Sequence, residues 1–226
     1  MTIRRTVVTM RIVIAGGHGQ IALRLERLLA GRGNEVVGII RDPDQSQDLR
    51  TAGAEPVVLD LESASVEEVA AVLEGADGAV FAAGAGSGSG AARKDTVDRG
   101  AAVLFADAAE RAGVRRYLLV SSMGADPDHR GDAVFDAYLR AKGKAEVYVR
   151  SKPALDWTVL RPGMLTNDAG TGLVRLAESV QRGAVPRDDV AAVLAELLDT
   201  PATTGLTLEL TSGPTSVAEA AKTADR

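Results

Sequence analysis

Short apolar runs alternate with amphipathic stretches along most of the chain. The apolar runs end at glycine, proline or aspartate, which is typical of buried strands. They predict strands at residues 11–15, 35–41, 55–59, 78–82, 116–121, 156–160 and 207–210. The amphipathic stretches predict helices at residues 20–31, 95–112, 133–151 and 187–198, a short helix that leads to Gly53, and a helix capped by Ser63 that ends near Gly75. Residues 164–186 are expected to be irregular apart from a strand near 173–177, and the tail beyond Thr215 is expected to be helical or frayed.

This alternation, with its short connections, predicts an α/β fold. The strands should form a parallel sheet that is wound in both directions, with helices on both faces. We expect one domain over residues 10–226, in which residues 163–186 and 200–226 form a small cap on the substrate side.

Composition narrows the class of protein. The chain has 226 residues, of which 46% are hydrophobic and 3% aromatic, so Val, Ala, Leu and Ile must build a core that suits strands buried on both faces. The net charge of −5 argues against a nucleic-acid surface. With no cysteine and only His18 and His129, neither disulfides nor a metal site are expected.

The N-terminal residues and the hydropathy pattern predict the cellular compartment of the protein. No apolar run approaches the roughly 20 residues of a membrane span. Residues 1–9 are too short for a signal peptide, and Met10 is an alternative start that would make them a loose extension. We expect a soluble cytoplasmic protein with no membrane partner.

A glycine cluster follows the first predicted strand and opens directly onto a helix. Gly16 permits a sharp exit from the strand, Gly19 allows close backbone approach, and Ala22 keeps the helix near the sheet. The free N–H groups of Gln20 and Ile21 and the helix dipole would face an anion. The spacing predicts a dinucleotide pyrophosphate site, and the alternative is an ordinary strand-to-helix turn.

The ends of the next strands contain further candidate cofactor contacts. Arg41 closes the second strand, where a basic residue suits the 2′-phosphate of NADP; the alternative is a surface arginine paired with Asp42. NADP is therefore favoured over NAD. Asp60 and Leu61 would meet the adenine edge or form a capping turn. The segment Ala82-Ala83-Gly84 would let the chain pass under the cofactor, and the loop 84–90 is a binding loop or a flexible linker.

Ser122, Tyr138 and Lys142 form a second constellation. Tyr138 and Lys142 are one helical turn apart and share a face. An ammonium beside a phenol favours the phenolate, which suits a proton donor and acceptor. Ser122, at the end of the fifth strand, could hydrogen-bond a substrate oxygen. The alternative is a chance Tyr/Lys pair on an exposed helix.

Four elements together resemble the short-chain dehydrogenase/reductase superfamily: the turn at 16–22, Ser121-Ser122, Tyr138-x-x-x-Lys142 and Arg161-Pro162-Gly163. The chain is more similar to the atypical branch of small NAD(P)-binding proteins, labelled NmrA-like or epimerase/dehydratase-like. The segment Arg187-Asp188-Asp189-Val190-Ala191 resembles one that recurs in that branch. The likeness covers nearly the whole chain from Met10 and implies a Rossmann-type fold.

The resemblance also implies roles for individual residues. Tyr138 would be the acid/base, Lys142 would bind the nicotinamide ribose, and Ser122, with Ser121 as the alternative, would orient the substrate carbonyl. Residues from Pro162 to Leu165 would line the nicotinamide pocket. The expected cofactor-binding set is Gly16, Gly17, His18, Gly19, Gln20, Ile21, Arg41, Asp60, Leu61, Ala82, Ala83, Gly84, Lys142, Pro162, Met164 and Leu165.

These expectations lead to two functional hypotheses. The first is an NADP(H)-dependent oxidoreductase that acts on a small carbonyl or alcohol. The second is a non-catalytic NADP(H)-binding redox sensor, which is favoured by Asp98 standing where the superfamily has an asparagine that helps to hold a relay water. A pure scaffold would bind no nucleotide. The long helices around Tyr138 suit either a homodimer face or core packing.

Overall fold

The computed structural model describes residues 9–86 and 88–224. The strands of this part of the chain are β1 (Arg11–Ala15), β2 (Glu35–Ile40), β3 (Glu55–Val58), β4 (Gly78–Phe81), β5 (Arg116–Val120), β6 (Asp156–Pro162), β7 (Met164–Thr166), β8 (Leu173–Ala177), β9 (Ala184–Pro186), β10 (Thr207–Ser212) and β11 (Thr215–Ser216). The helices are α1 (Gln20–Gly31), α2 (Ser46–Ala52), α3 (Val66–Leu73), α4 (Ala91–Arg93), α5 (Ala102–Ala112), α6 (Val134–Arg150), α7 (Arg187–Leu198) and α8 (Val217–Thr223).

Nine strands form one sheet in the order β11-β8-β10-β6-β5-β4-β1-β2-β3. Strands β1 to β6 and β10 run parallel, while β8 and β11 add an antiparallel edge. The doubly wound, Rossmann-like single domain is thus confirmed. The strand order reverses at β1, which lies between β2 and β4, and such a switch point opens a ligand crevice at the carboxyl ends of the strands.

Strand β1 shows why the sheet is buried on both faces. Ile12 and Ile14 join the core beneath α1 and α7, whereas Val13 and Ala15 join the core beneath α3 and α5. All four are at most 1% exposed. The unbroken apolar run of this strand follows from its position between two helical layers.

Several element bounds were predicted correctly. The predicted bounds of β1, α1, β8 and α7 agree with the structure. The predicted cap at Ser63 is wrong, because Ser65 caps α3: the Ser65 hydroxyl accepts a hydrogen bond from Glu68 N at 3.2 Å, and the Glu68 carboxylate accepts one from Ser65 N at 2.8 Å. This reciprocal pair is a capping box.

The long helix predicted from Asp95 begins earlier, at Ala91. Between α4 and α5 it continues as a π-helical segment, Lys94–Ala101, in place of regular α-helix. Widened turns of this type are frequent at functional sites. This one places Lys94 and Asp98 on the wall of one cavity.

Residues 164–186 are more ordered than the sequence predicted. β7 and β9 pair in parallel as a separate two-stranded sheet, and β8 joins the edge of the main sheet. β6 runs two residues past its predicted end, because Leu210 of β10 pairs with Pro162. β7 follows the carboxyl end of β6 after Gly163, and β9 lies beside β7.

Two remaining expectations concern the ends and the membrane. Most of the predicted loose extension, residues 1–8, lies outside the described residues. In the part of the chain that the structure describes, none of the helices has the length and apolar character needed to cross a membrane.

Candidate dinucleotide and substrate site

The turn between β1 and α1 requires glycine at its first position. Gly16 has a φ of +80°, and a Cβ there would lie 2.6 Å from the Cα of Ala83. Gly19 caps α1 without a side-chain hydrogen bond, and its N–H donates to the Gly16 carbonyl at 2.8 Å. The first-turn amides of Gln20 and Ile21 have no acceptor within the helix, so the turn presents donors to the crevice.

Two of the predicted turn residues are absent from the cavity linings. Gly17 is buried, donates to the Ile39 carbonyl at 2.9 Å, and leaves no room for a side chain because a Cβ would lie 2.9 Å from the Cα of Gly38. The Gln20 side chain is exposed. Neither residue lines the two cavities described below, and the contact predicted for Gln20 is made through its backbone N–H.

Two cavities meet along the strip 82–86 that follows β4. The larger, of about 1030 Å³, is called the substrate cavity here, and the smaller, of about 380 Å³, the nucleotide cavity. The described residues of the strip line both. Gly16 and Gly19 face the nucleotide cavity, while Ile21 faces the substrate cavity, so the glycine turn lies between them.

The nucleotide cavity contains a cluster of charge around Glu62. Arg93 Nη2 donates to Glu62 Oε2 at 3.0 Å, and Arg41 Nη1 lies 3.5 Å from the same oxygen. The Thr96 hydroxyl donates to Glu62 Oε1 at 2.7 Å. This hydroxyl first, and then the guanidinium of Arg93, hold the pKa of Glu62 below its usual range. Arg41 therefore pairs with Glu62 rather than with Asp42.

Three more predicted cofactor residues line the nucleotide cavity. His18 Nε2 lies 2.8 Å from Asp48 Oδ2, so its ring is tied to α2. Asp60 accepts a hydrogen bond from Glu62 N at 3.0 Å in a turn, and both Asp60 and Leu61 border the cavity. The two alternatives for Asp60, turn residue and cavity lining, therefore coexist.

The substrate cavity brings together the predicted catalytic residues. Ser122, Tyr138 and Lys142 all line it, as do Pro162, Met164 and Leu165. Lys142 Nζ lies 5.9 Å from the centre of the Tyr138 ring. Tyr138 and Lys142 share one face of α6, as their spacing predicted.

Lys142 is held more tightly than its family role suggests. Its side chain is 4% exposed, and its Nζ donates to the carbonyls of Val120 at 3.1 Å and Ala83 at 3.3 Å. Nζ also lies 3.3 Å from Asp98 Oδ1, a charge contact that lacks hydrogen-bond geometry. Asp98 Oδ2 accepts a hydrogen bond from Ala85 N at 3.2 Å, so the predicted glycine loop is anchored at this point.

The two serines that follow β5 differ in their surroundings. Ser121 is 4% exposed and its hydroxyl donates to Glu146 Oε1 at 2.5 Å. Arg161 binds the same carboxylate, with Nη2 2.6 Å from Oε2, and this contact raises the pKa of Arg161. Ser122 instead makes a long bond of 3.3 Å to the Met123 carbonyl. Arg161 of the Arg-Pro-Gly motif thus holds the Glu146 carboxylate to which Ser121 donates.

Several residues of the site were missed in the sequence. They are Arg93 in the nucleotide cavity, and Lys94, Phe135 and Arg182 in the substrate cavity. Lys94 Nζ lies 5.4 Å from the centre of the Tyr138 ring, and Phe135 stacks on that ring with centroids 5.7 Å apart. Phe135 offered a signal, because it is an apolar residue at the exposed start of a helix.

The Arg187–Ala191 segment connects neighbouring elements of the fold through its two aspartates. Asp188 pairs with Arg24 of α1, and Asp189 accepts hydrogen bonds from the backbone N–H groups of Thr171 and Gly172 at 3.1 and 2.8 Å. The motif therefore ties the segment before β8 to α7 and α1.

The residues present fit a nicotinamide dinucleotide. A diphosphate needs donors and close backbone approach, which the side-chain-free turn at Gly16 and Gly19 provides. The two cavities on either side of that turn give room for the two halves of the cofactor. Gly84 leaves their junction open, because a Cβ there would lie 3.2 Å from Asp98 Oδ1 and crowd that carboxylate.

Comparison with known proteins agrees with this geometry. The NAD(P)H-binding family matches residues 16–201. YhfK of Bacillus subtilis (strain 168), named an uncharacterized sugar epimerase, is 35% identical over 214 residues, which cover 94% of this chain and 99% of that protein.

Two solved structures extend the comparison. A Bacillus halodurans protein, provisionally named an NAD-dependent epimerase/dehydratase, has 34% identity and a TM-score of 0.87, with 94% and 99% of the two chains covered. The oxidoreductase ylbE from Lactococcus lactis has 28% identity and a TM-score of 0.82, with 94% and 95% covered. The chain belongs to the NAD(P)H-binding family, in its atypical short-chain dehydrogenase/reductase or NmrA-like branch, whose relatives bear oxidoreductase and epimerase names.

Proposed function

We propose that this protein is an NADP(H)-dependent oxidoreductase that transfers a hydride to or from a small carbonyl or alcohol, with Tyr138 as the acid/base. One observation carries the proposal. Tyr138, Ser122 and Lys142 line a single cavity that shares the strip 82–86 with the nucleotide cavity. A proton donor, a hydroxyl donor and a fixed positive charge would therefore surround the reacting carbon.

The bound cofactor would supply or accept the hydride, and the chain supplies position and proton transfer. Gly16, Gly19 and the first-turn amides of α1 would hold the diphosphate. Tyr138 Oη would donate a proton to the substrate oxygen during reduction and take it back during oxidation. Ser122 Oγ would exchange its 3.3 Å bond to the Met123 carbonyl for one to the same substrate oxygen.

Lys142 and Lys94 would support this proton transfer electrostatically. Their Nζ atoms lie 5.9 and 5.4 Å from the centre of the Tyr138 ring. Both ammonium groups would thus place positive charge beside the ring of the proposed acid/base. Because Lys142 is held by two carbonyls and by Asp98, it would act mainly as a fixed charge and only secondarily as a ribose ligand.

NADP is the proposed form of the cofactor. Arg41 and Arg93 both border the nucleotide cavity and both reach Glu62 Oε2. A phosphate that takes the place of this carboxylate would gain two guanidinium partners, which suit phosphate oxygens. The 2′-phosphate of NADP is the group that would do so.

Replacement of Tyr138 by phenylalanine tests the catalytic role. Tyr138→Phe keeps the ring that packs on Phe135 and removes the hydroxyl. With NADPH and a panel of aromatic aldehydes, we expect kcat to fall by about 10²- to 10⁴-fold while the Kd for NADPH changes less than about twofold.

A matched control lies on the same helix. Tyr148 donates its hydroxyl to Asp107 at 2.8 Å and lines neither cavity, so Tyr148→Phe should keep kcat near the wild-type value. A Tyr138→Phe enzyme that reduces the panel at the wild-type rate would show that another group moves the proton.

A redox sensor is the second candidate, and the pairing of Lys142 with Asp98 favours it. An asparagine there would leave the lysine charge available, whereas Asp98 neutralises it. A wild-type protein that binds NADPH but reduces none of the panel, and whose hydrogen-exchange pattern differs between NADPH and NADP⁺, would identify the sensor.

A further inference from the structure

The substrate cavity has an apolar rim beyond Tyr138. Val134, Phe135 and Met164 line it and are 47%, 62% and 70% exposed. Large apolar side chains that stay exposed around one concavity are typical of a ligand-contact surface. The volume of about 1030 Å³ lies at the upper end of the usual range for small-molecule sites, about 300–1,000 Å³. The nicotinamide half of the cofactor would occupy part of this volume, and the exposed rim of Val134, Phe135 and Met164 would remain for the substrate.

The same cavity carries positive charge that the described residues do not neutralise. Lys94 and Arg182 line it, and neither has a carboxylate oxygen within 4.0 Å among residues 9–86 and 88–224. The acidic residue of the described lining is Asp98, which pairs with Lys142. In a chain with a net charge of −5, a cavity with spare positive charge points to an anionic ligand.

Arg182 is well placed to bind such a ligand. It lies in the segment before β9, is exposed, and has Nη2 3.4 Å from the point that a Cβ on Gly124 would occupy. Its guanidinium therefore extends from the segment before β9 to the loop after β5, which also carries Ser122. Gly124 adds no side chain beside the guanidinium, whose N–H edge is the part that binds a bidentate partner.

We infer that the substrate is an apolar, aromatic carbonyl compound or alcohol that carries a carboxylate, with Arg182 and Lys94 binding the carboxylate and the rim of Val134, Phe135 and Met164 covering the ring. The inference rests on the proposed function, because it names the substrate class of the same site. A guanidinium fork matches the two oxygens of a carboxylate.

Binding of two matched ligands tests the inference without turnover. Protein saturated with NADP⁺ is titrated with 2-naphthoate and with the neutral 2-naphthamide by ligand-observed NMR. We expect naphthoate to bind at least about fivefold more tightly, and this preference to shrink as salt is raised. It should be lost in Arg182→Met or Lys94→Met and kept in Arg27→Met, which removes an exposed arginine of α1 outside both cavities.

Three results would overturn the inference: equal affinities of the two ligands in the wild type, retention of the preference in both cation variants, or no naphthoate binding up to its solubility limit. The Kd for NADPH is measured in each variant. Arg182→Met weakening NADPH while leaving naphthoate unchanged would assign this arginine to the cofactor and also count against the inference.

A second pair of compounds, an aldehyde with a carboxylate and its methyl ester, separates this inference from the reductase proposal. With NADPH, 6-formyl-2-naphthoate should show a KM at least about fivefold below that of its methyl ester, and Arg182→Met should remove the difference through KM while kcat stays within about twofold. Equal KM values for both aldehydes would leave the reductase standing and reject the carboxylate. Arg182-dependent naphthoate binding without reduction of either aldehyde would support the carboxylate site and reject the reductase proposal.

Discussion

Lys142 Nζ lies 3.3 Å from Asp98 Oδ1 in the interior, where the two side chains are 4% and 0% exposed. The pair joins α6, which carries Tyr138, to the π-helical segment that carries Lys94. It therefore links both helices that border the substrate cavity. An asparagine at position 98 carries no charge and could not neutralise the lysine in this way.

The pair should show strong energetic coupling. Removing one member leaves an uncompensated buried charge, so Lys142→Met and Asp98→Asn should each lower the free energy of unfolding by about 3–5 kcal/mol. The double variant should lose clearly less than the sum of the two losses. Urea denaturation of the four proteins gives the coupling energy, and additive losses would mean that the ion pair contributes nothing.

Ser121 and Ser122 should separate stability from activity. Ser121→Ala removes a buried hydrogen bond to Glu146 and should lower the free energy of unfolding by about 1–3 kcal/mol. Ser122→Ala should leave stability nearly unchanged and lower kcat for the aldehydes that the wild type reduces by about 10- to 100-fold. Thermal melts and turnover assays check both, and the opposite assignment would place Ser121 at the substrate.

Arg41 and Arg93 should set the preference for NADPH. Replacing either by methionine should weaken NADPH by about tenfold or more, since a charge-assisted phosphate contact contributes about 1.5–3 kcal/mol, and should change NADH less than about twofold. Arg27→Met again serves as the control. Calorimetric titration with both cofactors measures these affinities. Equal losses of affinity for NADPH and NADH would contradict a contact to the 2′-phosphate.

Glu26 gives the fold an unusual pH dependence. It is fully buried in α1, below Gly17 and Gly38, and in the described part of the chain neither carboxylate oxygen has a hydrogen-bond partner. Desolvation raises the pKa of this carboxyl from 4.5 to about 8. The native protein therefore keeps the proton at pH values where the unfolded chain has lost it.

Stability should consequently fall as pH rises from about 4.5 to about 8 and then level off, because over that window the native state binds more protons than the unfolded state. The full loss is on the order of 4–5 kcal/mol at most. Glu26→Gln should remove this slope and be more stable than the wild type at pH 9, whereas the exposed control Glu178→Gln should keep it. Urea titrations across pH that show one slope in all three proteins would contradict the assignment.

The parts of the fold that the sequence predicted best have local signals. A glycine pair ends β1, and an apolar stripe defines α1, so both bounds agree with the structure. The helix after β4 was predicted to start too late, because Ala91 and Ala92 follow a glycine loop and carry no periodic pattern. β7 and β9 were missed because each has three residues and pairs with a distant partner.

The residues of the candidate site also differ in whether a local sequence pattern predicts them. Tyr138 and Lys142 share a helix, so their common face follows from spacing alone. Lys142 and Asp98 come from different helices, and Arg182 arrives from the segment before β9; these meetings depend on tertiary packing that no local pattern encodes. The sequence thus predicted Tyr138 and Lys142 on one helix face and Arg41 near the turn. It did not predict Arg93, Lys94 or Arg182 in the cavity linings.

Hydrogen exchange with and without NADPH tests most directly whether one dinucleotide spans the two cavities across the glycine turn. Binding should slow amide exchange in three separate segments: the turn at 16–22, the strip 82–86, and the loop that carries Ser122. Saturating NADPH that leaves the turn and the strip unchanged, in protein that is folded and binds the cofactor, would contradict it.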